Sequence, residues 1–406
     1  MMYFKLAWRN MWRSRRRTLI TISSIFFAVI FAILMRVAIV GLFDKLIADT
    51  VSLTSGYIQV HHSGYWENRS VDSTFEESPK LVSLLNHENA VTAWTPRLES
   101  FGLASSGDRT KGILVVGIDP QKEDKVSNLA KKIISGKYLD ENDKGIVLAE
   151  GLAAYLKLKV NDTVVLIGQG YEGNMASGKY TVRGIAKIGI PEMNKGMAWL
   201  PMAVARDFLS TGSRYTSISI LINNQSNLDE LEKDIVNKTK GDGYEVMTWK
   251  QMIPELDQLF QAKMAQNVIM SGVLYLVIAF GIFGTILMML NERMHEFGIL
   301  IAIGMKKGLL AGVVVIEMVL MSVVGVVLGA VCIYPLVHYY HVHPIRLTGD
   351  MGKSSELYNI EPVMPMSTNL SNFIVQGYVV LIIAVLLSLY AIFKIFKIKA
   401  IAAINS

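Results

Sequence analysis

Gly173, Gly178 and Lys179 in "GNMASGKY" stand at the spacing of a phosphate-binding loop, G-x-x-x-x-G-K-[ST], whose backbone N–H groups cradle nucleotide phosphates. The last position is Tyr180, which lacks the hydroxyl group placed to hold magnesium. Such a loop also needs a strand before it and a helix after it, so that the helix N-terminus faces the phosphates. Here the residues after Lys179, "YTVRGIAKIG", read as a strand, and Gly, Asn and Ser make the stretch a hairpin turn. The chain is therefore expected not to power itself.

Other groups with chemical potential are few. No Ser-His-Asp, paired-acid or Cys-His arrangement stands out between residues 43 and 266, so enzymatic chemistry is not expected. His338, His341 and His343 cluster in "HYYHVHP", and with His61 and His62 they are the candidate metal ligands; no Cys or close carboxylate completes the set, and no metal is expected. Glu317 lies in an apolar run, where a carboxylate is costly enough to suggest function. With no second acid or His in any span to continue a proton relay, a structural hydrogen bond is the expected role. Gly325 and Gly329 form a GxxxG that admits a neighbouring helix, and Gly281 and Gly284 add a second small-residue face. Arg36 is expected to snorkel its head toward an interface, and the single cysteine, Cys332, to pack. The aromatic "SGYWENRS" reads either as an exposed contact loop or, through Tyr65 and Trp66, as a core anchor.

What must position these residues is a membrane. Of 406 residues, 51% are hydrophobic, and a mean hydropathy of +0.37 exceeds that of an ordinary soluble domain. Runs of roughly 18 or more apolar residues read as spanning helices, and four are present: Leu19–Val40, Val268–Leu290, Leu309–Leu336 and Phe373–Phe396. Lys5, Arg9, Arg13, Arg15, Arg16 and Arg17 precede the first; Arg293, Lys306 and Lys307 lie between the second and third; Lys394, Lys397 and Lys399 end the fourth. Positive residues stay on the cytoplasmic side, so both termini are expected inside. The first apolar stretch is too long for a cleaved leader and lacks its small-x-small site, which favours an uncleaved anchor. The net charge of +6 follows from topology and anionic lipid headgroups and calls for no nucleic acid.

Between the first two spans lies a segment of ordinary soluble character, expected outside the cytoplasm, where ATP is scarce. It opens with a helical extension, "GLFDKLIADTVSL". Strands are expected at "GYIQVHH", "GILVVGID", "GIVLAE", "DTVVLIGQG", "KYTVRGIAKIG", "MAWLP" and "SISILIN", and helices at Pro79–Asn86, Glu150–Leu156, Ala203–Leu209 and Asn227–Asn237. That mixture predicts an α+β domain in two lobes.

Between the second and third spans runs "NERMHEFGILIAIGMKKGLL". Met294, Phe297, Ile301 and Met305 recur at helical spacing and form an apolar stripe. A short amphipathic cytoplasmic helix results. Its stripe could lie on the membrane surface or insert into a groove of a cytoplasmic partner.

Glu292, Arg293, Glu296, Gly298, Ala302 and Gly304 in this stretch match E-R-x-x-E-x-G-x-x-x-A-x-G, a signature of the FtsX-like permease family, which the chain resembles. "LAWRNMWRSRRRTLITI" resembles that family's N-terminal elbow and first span, and Glu317, Gly325 and Gly329 resemble the E…G…G pattern of its third. "GIDPQ", "GKYLDENDKGIVLAEGLAAYLKLKVNDTVVL" and "YTVRGIAKIG" are similar to the periplasmic part of lipoprotein-releasing and macrolide-export permeases, lipoprotein-releasing ones above all. The ending "KAIAAINS" departs from the P-x-x-A-L-R-like motif common in relatives.

The resemblance implies a type VII ABC transporter permease in the bacterial inner (plasma) membrane: four transmembrane helices plus a large α+β periplasmic domain inserted between the first two. The expected division is a cytoplasmic elbow helix over 1–17, spans over 18–42, 267–290, 309–336 and 373–396, a periplasmic domain over 43–266, a cytoplasmic coupling helix over 291–308, a periplasmic loop over 337–372 and a cytoplasmic tail over 397–406. ATP and magnesium would be bound by a dimeric cytoplasmic ATPase and by no residue here, with a second permease copy, identical or related, completing the assembly. Phe297 and Ile301 join the six signature residues as the expected contact with that ATPase. The expected work is release of lipoproteins toward a periplasmic carrier, with acyl chains lined by Met35, Ile39, Phe43, Met264 and Val268 between the outer ends of the first two spans. The alternatives are a mechanotransmission permease controlling cell-wall hydrolases or a sensor, and an efflux permease with a periplasmic adaptor.

Overall fold

A computed structural model of the chain describes residues 8–9, 11–12, 15–349 and 363–397. Most of the elbow helix expected over 1–17, including Lys5 and Arg13, lies outside the described residues, as do residues 350–362 and the tail from 398 on, including Lys399.

Apolar runs long enough to cross a bilayer become long helices even where Gly or Pro interrupts them, as at Pro335, and alternating runs bounded by turn residues become strands. In chain order the elements begin with α1 (Arg15–Leu53), β1 (Ile58–His62), α2 (Tyr65–Asn68), α3 (Pro79–His87), β2 (Val91–Ser106), β3 (Arg109–Ile118) and α4 (Pro120–Ser127). Next come β4 (Ile133–Gly136), β5 (Ile146–Ala149), α5 (Glu150–Leu156), β6 (Thr163–Gln169), β7 (Met175–Ala186), α6 (Pro191–Gly196), β8 (Met197–Pro201) and α7 (Met202–Leu209). β9 (Ser217–Ile222), α8 (Leu228–Lys238), β10 (Tyr244–Thr248), α9 (Trp249–Met252) and α10 (Pro254–Glu292) follow. The chain closes with α11 (Met294–Ala302), α12 (Lys307–Val342), β11 (Ile345–Arg346), β12 (Val363–Met364) and α13 (Leu370–Phe396). The described residues form two units, one over 8–9, 11–12, 15–45, 260–346 and 363–397, the other over 46–259 and 347–349.

The first unit is helical. Among the described residues, four helices are long and apolar enough to cross a membrane, within α1, α10, α12 and α13. α1 and α10 each have 39 residues, about twice the ~20 that cross a bilayer. The buried face of α12 runs Val314, Glu317, Met318, Met321, Gly325, Val326, Gly329 and Ile333, a three-four spacing that one helix face presents. A Cβ on Gly325 would stand 2.8 Å from Ile25 Cγ2, and one on Gly329 3.0 Å from the Phe26 carbonyl oxygen, so both glycines let α12 meet α1 at backbone distance. Gly281 and Gly284 have nothing within 4 Å, so their small face packs against no other part of the described chain. Cys332, expected to pack, is exposed.

The second unit is α+β. Its ten strands form one sheet ordered β10-β1-β9-β2-β3-β8-β5-β7-β4, with β6 pairing both β2 and β7. The pairings β2-β3-β8-β5-β7-β6-β2 close a ring, around Leu98, Val116, Leu148, Val164, Leu166, Val182 and Trp199. The two expected lobes are thus corrected to a single sheet, because the 16-residue β2 serves both ends: Val91–Arg97 pairs with β9, and Arg97–Ser106 with β3. Pro96, Arg97 and Glu99 interrupt the apolar alternation of β2 and hide it from a periodicity reading. Asp119 in "GIDPQ" caps α4, its Oδ1 accepting the amides of Gln121 and Lys122 at 3.1 Å, with Pro120 in the first turn.

The phosphate-loop reading fails by geometry. The turn between β6 and β7 occupies residues 170–174, with Gly173 at φ +77°. Gly178 and Lys179 lie inside β7, opposite Leu166 and Val165. The hairpin expected over 173–180 therefore turns a few residues earlier, and a strand, with no helix N-terminus, follows the lysine.

Candidate functional site

The stretch carrying the E-R-x-x-E signature folds as a short helix between two long ones. α10 ends at Glu292, Arg293 leaves helical geometry at ψ 5°, and α11 runs from Met294 to Ala302. Gly304, at φ +104°, stops α11. The Gly304 amide donates to the Ile301 carbonyl at 3.1 Å and the Met305 amide to the Leu300 carbonyl at 3.0 Å, the paired bonds of a glycine C-terminal motif. The role of Gly304 here is to end the helix.

α11 turns its apolar stripe inward. Phe297 is 3% exposed in the helical core, and Met294, Ile301 and Met305 pack against the same core. The expectation that this stripe enters a partner's groove is corrected: the stripe is satisfied within the unit. Glu292, His295, Ile299, Leu300, Ala302 and Ile303 are exposed, and Glu296 is half-buried. Gly298 is buried. Of the eight proposed coupling residues, then, Glu292, Glu296, Ala302 and Gly304 keep accessible surface, while Arg293, Phe297 and Gly298 face inward and Ile301 lies between.

Arg293 explains Glu317. Its Nη1 donates to Glu317 Oε2 at 2.8 Å, and the two side chains are 7% and 0% exposed. Arg293 Nε also lies 3.9 Å from Glu296 Oε2. A buried carboxylate on α12 is thereby charge-paired to the junction of α10 and α11, which ties three helices at one point. The structural hydrogen bond expected for Glu317 exists, and its partner is a residue of the signature itself. An acid inside a span is the signal that such a cation must be sought.

Among the residues considered for acyl chains, Met35, Ile39 and Phe43 recur every four residues on α1, and Met264 and Val268 do so on α10. The two helices meet where the Phe43 and Phe260 rings lie 5.7 Å apart, edge to face. Phe43 is 8% exposed and Val268 66%, so the phenylalanine packs while the valine faces outward. Arg36 does not merely snorkel: its Nε donates to Asn372 Oδ1 at 3.0 Å, and Asn372 Nδ2 to Ser367 Oγ at 3.3 Å. Asn372 and Gln376, four apart on α13 where Gln376 accepts from the Tyr275 hydroxyl, were missed by the sequence reading; amides repeating every turn in an apolar run are the signal.

Among the described residues, no group of three or more His, Cys, Asp or Glu side chains is placed to hold a metal ion. His338 stacks on Tyr334, His343 stacks on Tyr339, and His341 Nδ1 lies 2.9 Å from the Met366 carbonyl. In "SGYWENRS", Tyr65 is 1% exposed and its hydroxyl donates to Glu99 at 3.1 Å, so the core-anchor reading holds for it.

Residues 18–238, more than half of the chain, match the MacB-like periplasmic core domain, and residues 268–400 match the FtsX-like permease C-terminal region. The chain is 25% identical over 305 residues to "Lipoprotein-releasing system transmembrane protein LolC" of Xylella fastidiosa (strain 9a5c), covering 73% of this chain and 70% of that one. It is 21% identical over 315 residues to "Lipoprotein-releasing system transmembrane protein LolE" of Haemophilus influenzae, covering 74% of each. Among solved structures, the periplasmic region of MacB from Actinobacillus actinomycetemcomitans aligns at 18% identity and TM-score 0.35, over 50% of this chain and 91% of that one.

Proposed function

Because the chain belongs to the FtsX-like permease family of ABC transporters and carries a MacB-like periplasmic core domain, we propose that it couples ATP hydrolysis in a separate cytoplasmic ATPase to work outside the membrane, namely lipoprotein release. The observation that carries this reading is the buried Arg293–Glu317 pair. A push on α11 has no loose joint to absorb it: Arg293 at the head of α11 and Glu317 inside α12 are charge-bound at 2.8 Å, and Phe297 is buried in the helical core. The surface left accessible on α11 and at its two ends, with Glu292, His295, Ile299 and Ile303, is where the ATPase dimer would press.

In this reading the termini and α11 lie in the cytoplasm, the α+β unit stands in the periplasm, and a second permease copy shares the ATPase. Names of the LolC and LolE relatives supply the cargo class. The acyl chains would lie along Ile39, Met264 and Val268, with a periplasmic carrier receiving the cargo.

Affinity isolation from gently solubilised membranes should recover an ATPase with this chain, and Glu296→Lys should uncouple its hydrolysis from cargo while leaving membrane insertion intact. Normal substrate-stimulated turnover in that variant would defeat the coupling assignment. Gly298→Asp is a poorer probe, because Gly298 is buried and the new carboxylate would disturb packing. A photo-crosslinking residue at 39, 264 or 268 should capture lipoprotein. Depletion that left lipoproteins correctly located but chained the cells would favour the wall-hydrolase alternative, and drug sensitivity alone the efflux one.

A further inference from the structure

One face of the strands β1, β9 and β2 is polar and yet buried. Gln59 and His61 on β1 stand opposite Ser219 and Ser217 on β9, which in turn stand opposite Thr95 and Arg97 on β2. Directly paired residues share a face, and all six are at most 2% exposed. The opposite face, with Ile58, Val60, Ile218 and Ile220, is an ordinary apolar one. Among the described residues, Gln59 Oε1, His61 Nε2, Ser217 Oγ and Ser219 Oγ have no hydrogen-bond partner. Buried polar groups without partners are rare in native proteins, and four on adjoining positions of one face ask for a physical reason.

A cavity of about 300 Å³ opens on this face, with Gln59 in its lining. Its floor continues across the sheet, since Glu99 on β2 pairs with Val116 on β3 and Val116 with Trp199 on β8. The floor is therefore polar at the Gln59 end and apolar at the Trp199 end, with Met193 and Met252 as adaptable walls. The cavity lining holds two cations and one carboxyl, Arg69, Arg97 and Glu99. Arg97 is paired to Glu123 at 2.7 Å, and burial pushes the Glu99 carboxyl up, toward its neutral form. Arg69 lies over the Trp66 ring at 3.7 Å.

We propose that this cavity is a binding site for an uncharged amphiphile, whose hydroxyl- or amide-bearing head is held by Gln59 and Glu99 and whose apolar body lies over Val116 and Trp199. A hydroxyl donating to Gln59 Oε1 satisfies the atom that the fold leaves unpaired. A carboxylate head has no hydrogen to give Gln59 Oε1, an ammonium head meets the Arg69 cation, and a purely apolar ligand leaves Gln59 unsatisfied. The site lies within the second unit and the ion pair within the first, so binding and transport are assayed separately.

The test uses the full chain in phosphatidylcholine nanodiscs, with monolauroylglycerol below its micelle concentration as probe. Saturable binding is expected, with quenching by a chain-brominated probe that Trp199→Phe largely removes. Gln59→Leu should weaken binding at least tenfold while raising the thermal unfolding midpoint, since it deletes an orphaned polar group. Should that variant fail to fold, Val116→Met, which narrows the apolar end, should weaken binding likewise. Lauric acid and dodecylamine should bind at least tenfold more weakly than the uncharged probe. Dilauroylglycerol placed in the nanodisc against the soluble probe separates a membrane source from a soluble one, and binding from either supports the site. No saturable binding, equal binding by Gln59→Leu, equal binding of the charged probes, or ordered water alone on Gln59 in a high-resolution structure would overturn it.

Discussion

Arg293 and Glu317, 24 residues apart, form a 2.8 Å ion pair that is almost wholly excluded from solvent and joins the head of α11 to the interior of α12. Removing one partner of a buried pair strands the other charge, which costs about 3–5 kcal/mol. We predict that Arg293→Met and Glu317→Leu each destabilise the detergent-solubilised chain by that order, and that the double variant recovers most of the loss. Additive single effects in the double-mutant cycle would show that the pair does not couple the helices.

The contact of Gly325 with Ile25 yields a second prediction. A methyl group at 325 must displace Ile25 side-chain atoms standing 2.8 and 2.9 Å away, and overpacking of this kind costs about 1–3 kcal/mol. Gly325→Ala should lower the unfolding midpoint, and Ile25→Ala in the same chain should restore part of it. Gly281→Ala, with open space around it, should be neutral in the isolated chain; a loss there equal to that at 325 would refute the packing argument.

Arg97 anchors the other unit. Its guanidinium donates to Glu123 at 2.7 and 3.0 Å and to the carbonyls of Ser52, Leu53 and Thr54, the last turn of α1 and the residue after it. A cation at a helix C-terminus also meets the favourable end of the helix dipole. Arg97→Met should cost about 3–5 kcal/mol and raise hydrogen exchange over residues 50–55. Unchanged protection there would remove the clasp.

His61 predicts a pH response. Burial holds its imidazole below its usual range; the His62 carbonyl and Glu245, 3.6 Å away, oppose this, whereas Arg69 and His62 reinforce it. A depressed folded-state pKa contributes stability that is fully present above the unfolded value of about 6.5 and is lost as pH falls through the folded value. The unfolding midpoint should therefore decline on acidification below about pH 6.5, and His61→Gln should flatten the decline. An identical slope in the variant would assign the response to other groups.

Gly304 is testable by geometry. At φ +104° a side chain is strained, so Gly304→Ala should loosen the end of α11 and cost about 1–2 kcal/mol. Exchange protection at Met305, whose amide closes the motif, reports it directly.

Composition and period already specified four apolar helices and an α+β segment between the first two, because burial in lipid needs only length and hydropathy, and strand alternation is local. They also named Glu317 as anomalous. They could not supply its partner, since Arg293 sits in a polar stretch whose inward turn depends on how α10, α11 and α12 meet. Nor could they orient the Met294–Met305 stripe, because amphipathicity states that a face is apolar and not what covers it. Strand β2 and the ring of six strands were hidden for the same reason: Arg97 and Glu99 break the local pattern, and only Glu123 on α4 and Tyr65 on α2 answer them once the chain is folded. What tertiary structure alone decided is which polar groups are satisfied, a property of neighbours distant in the chain.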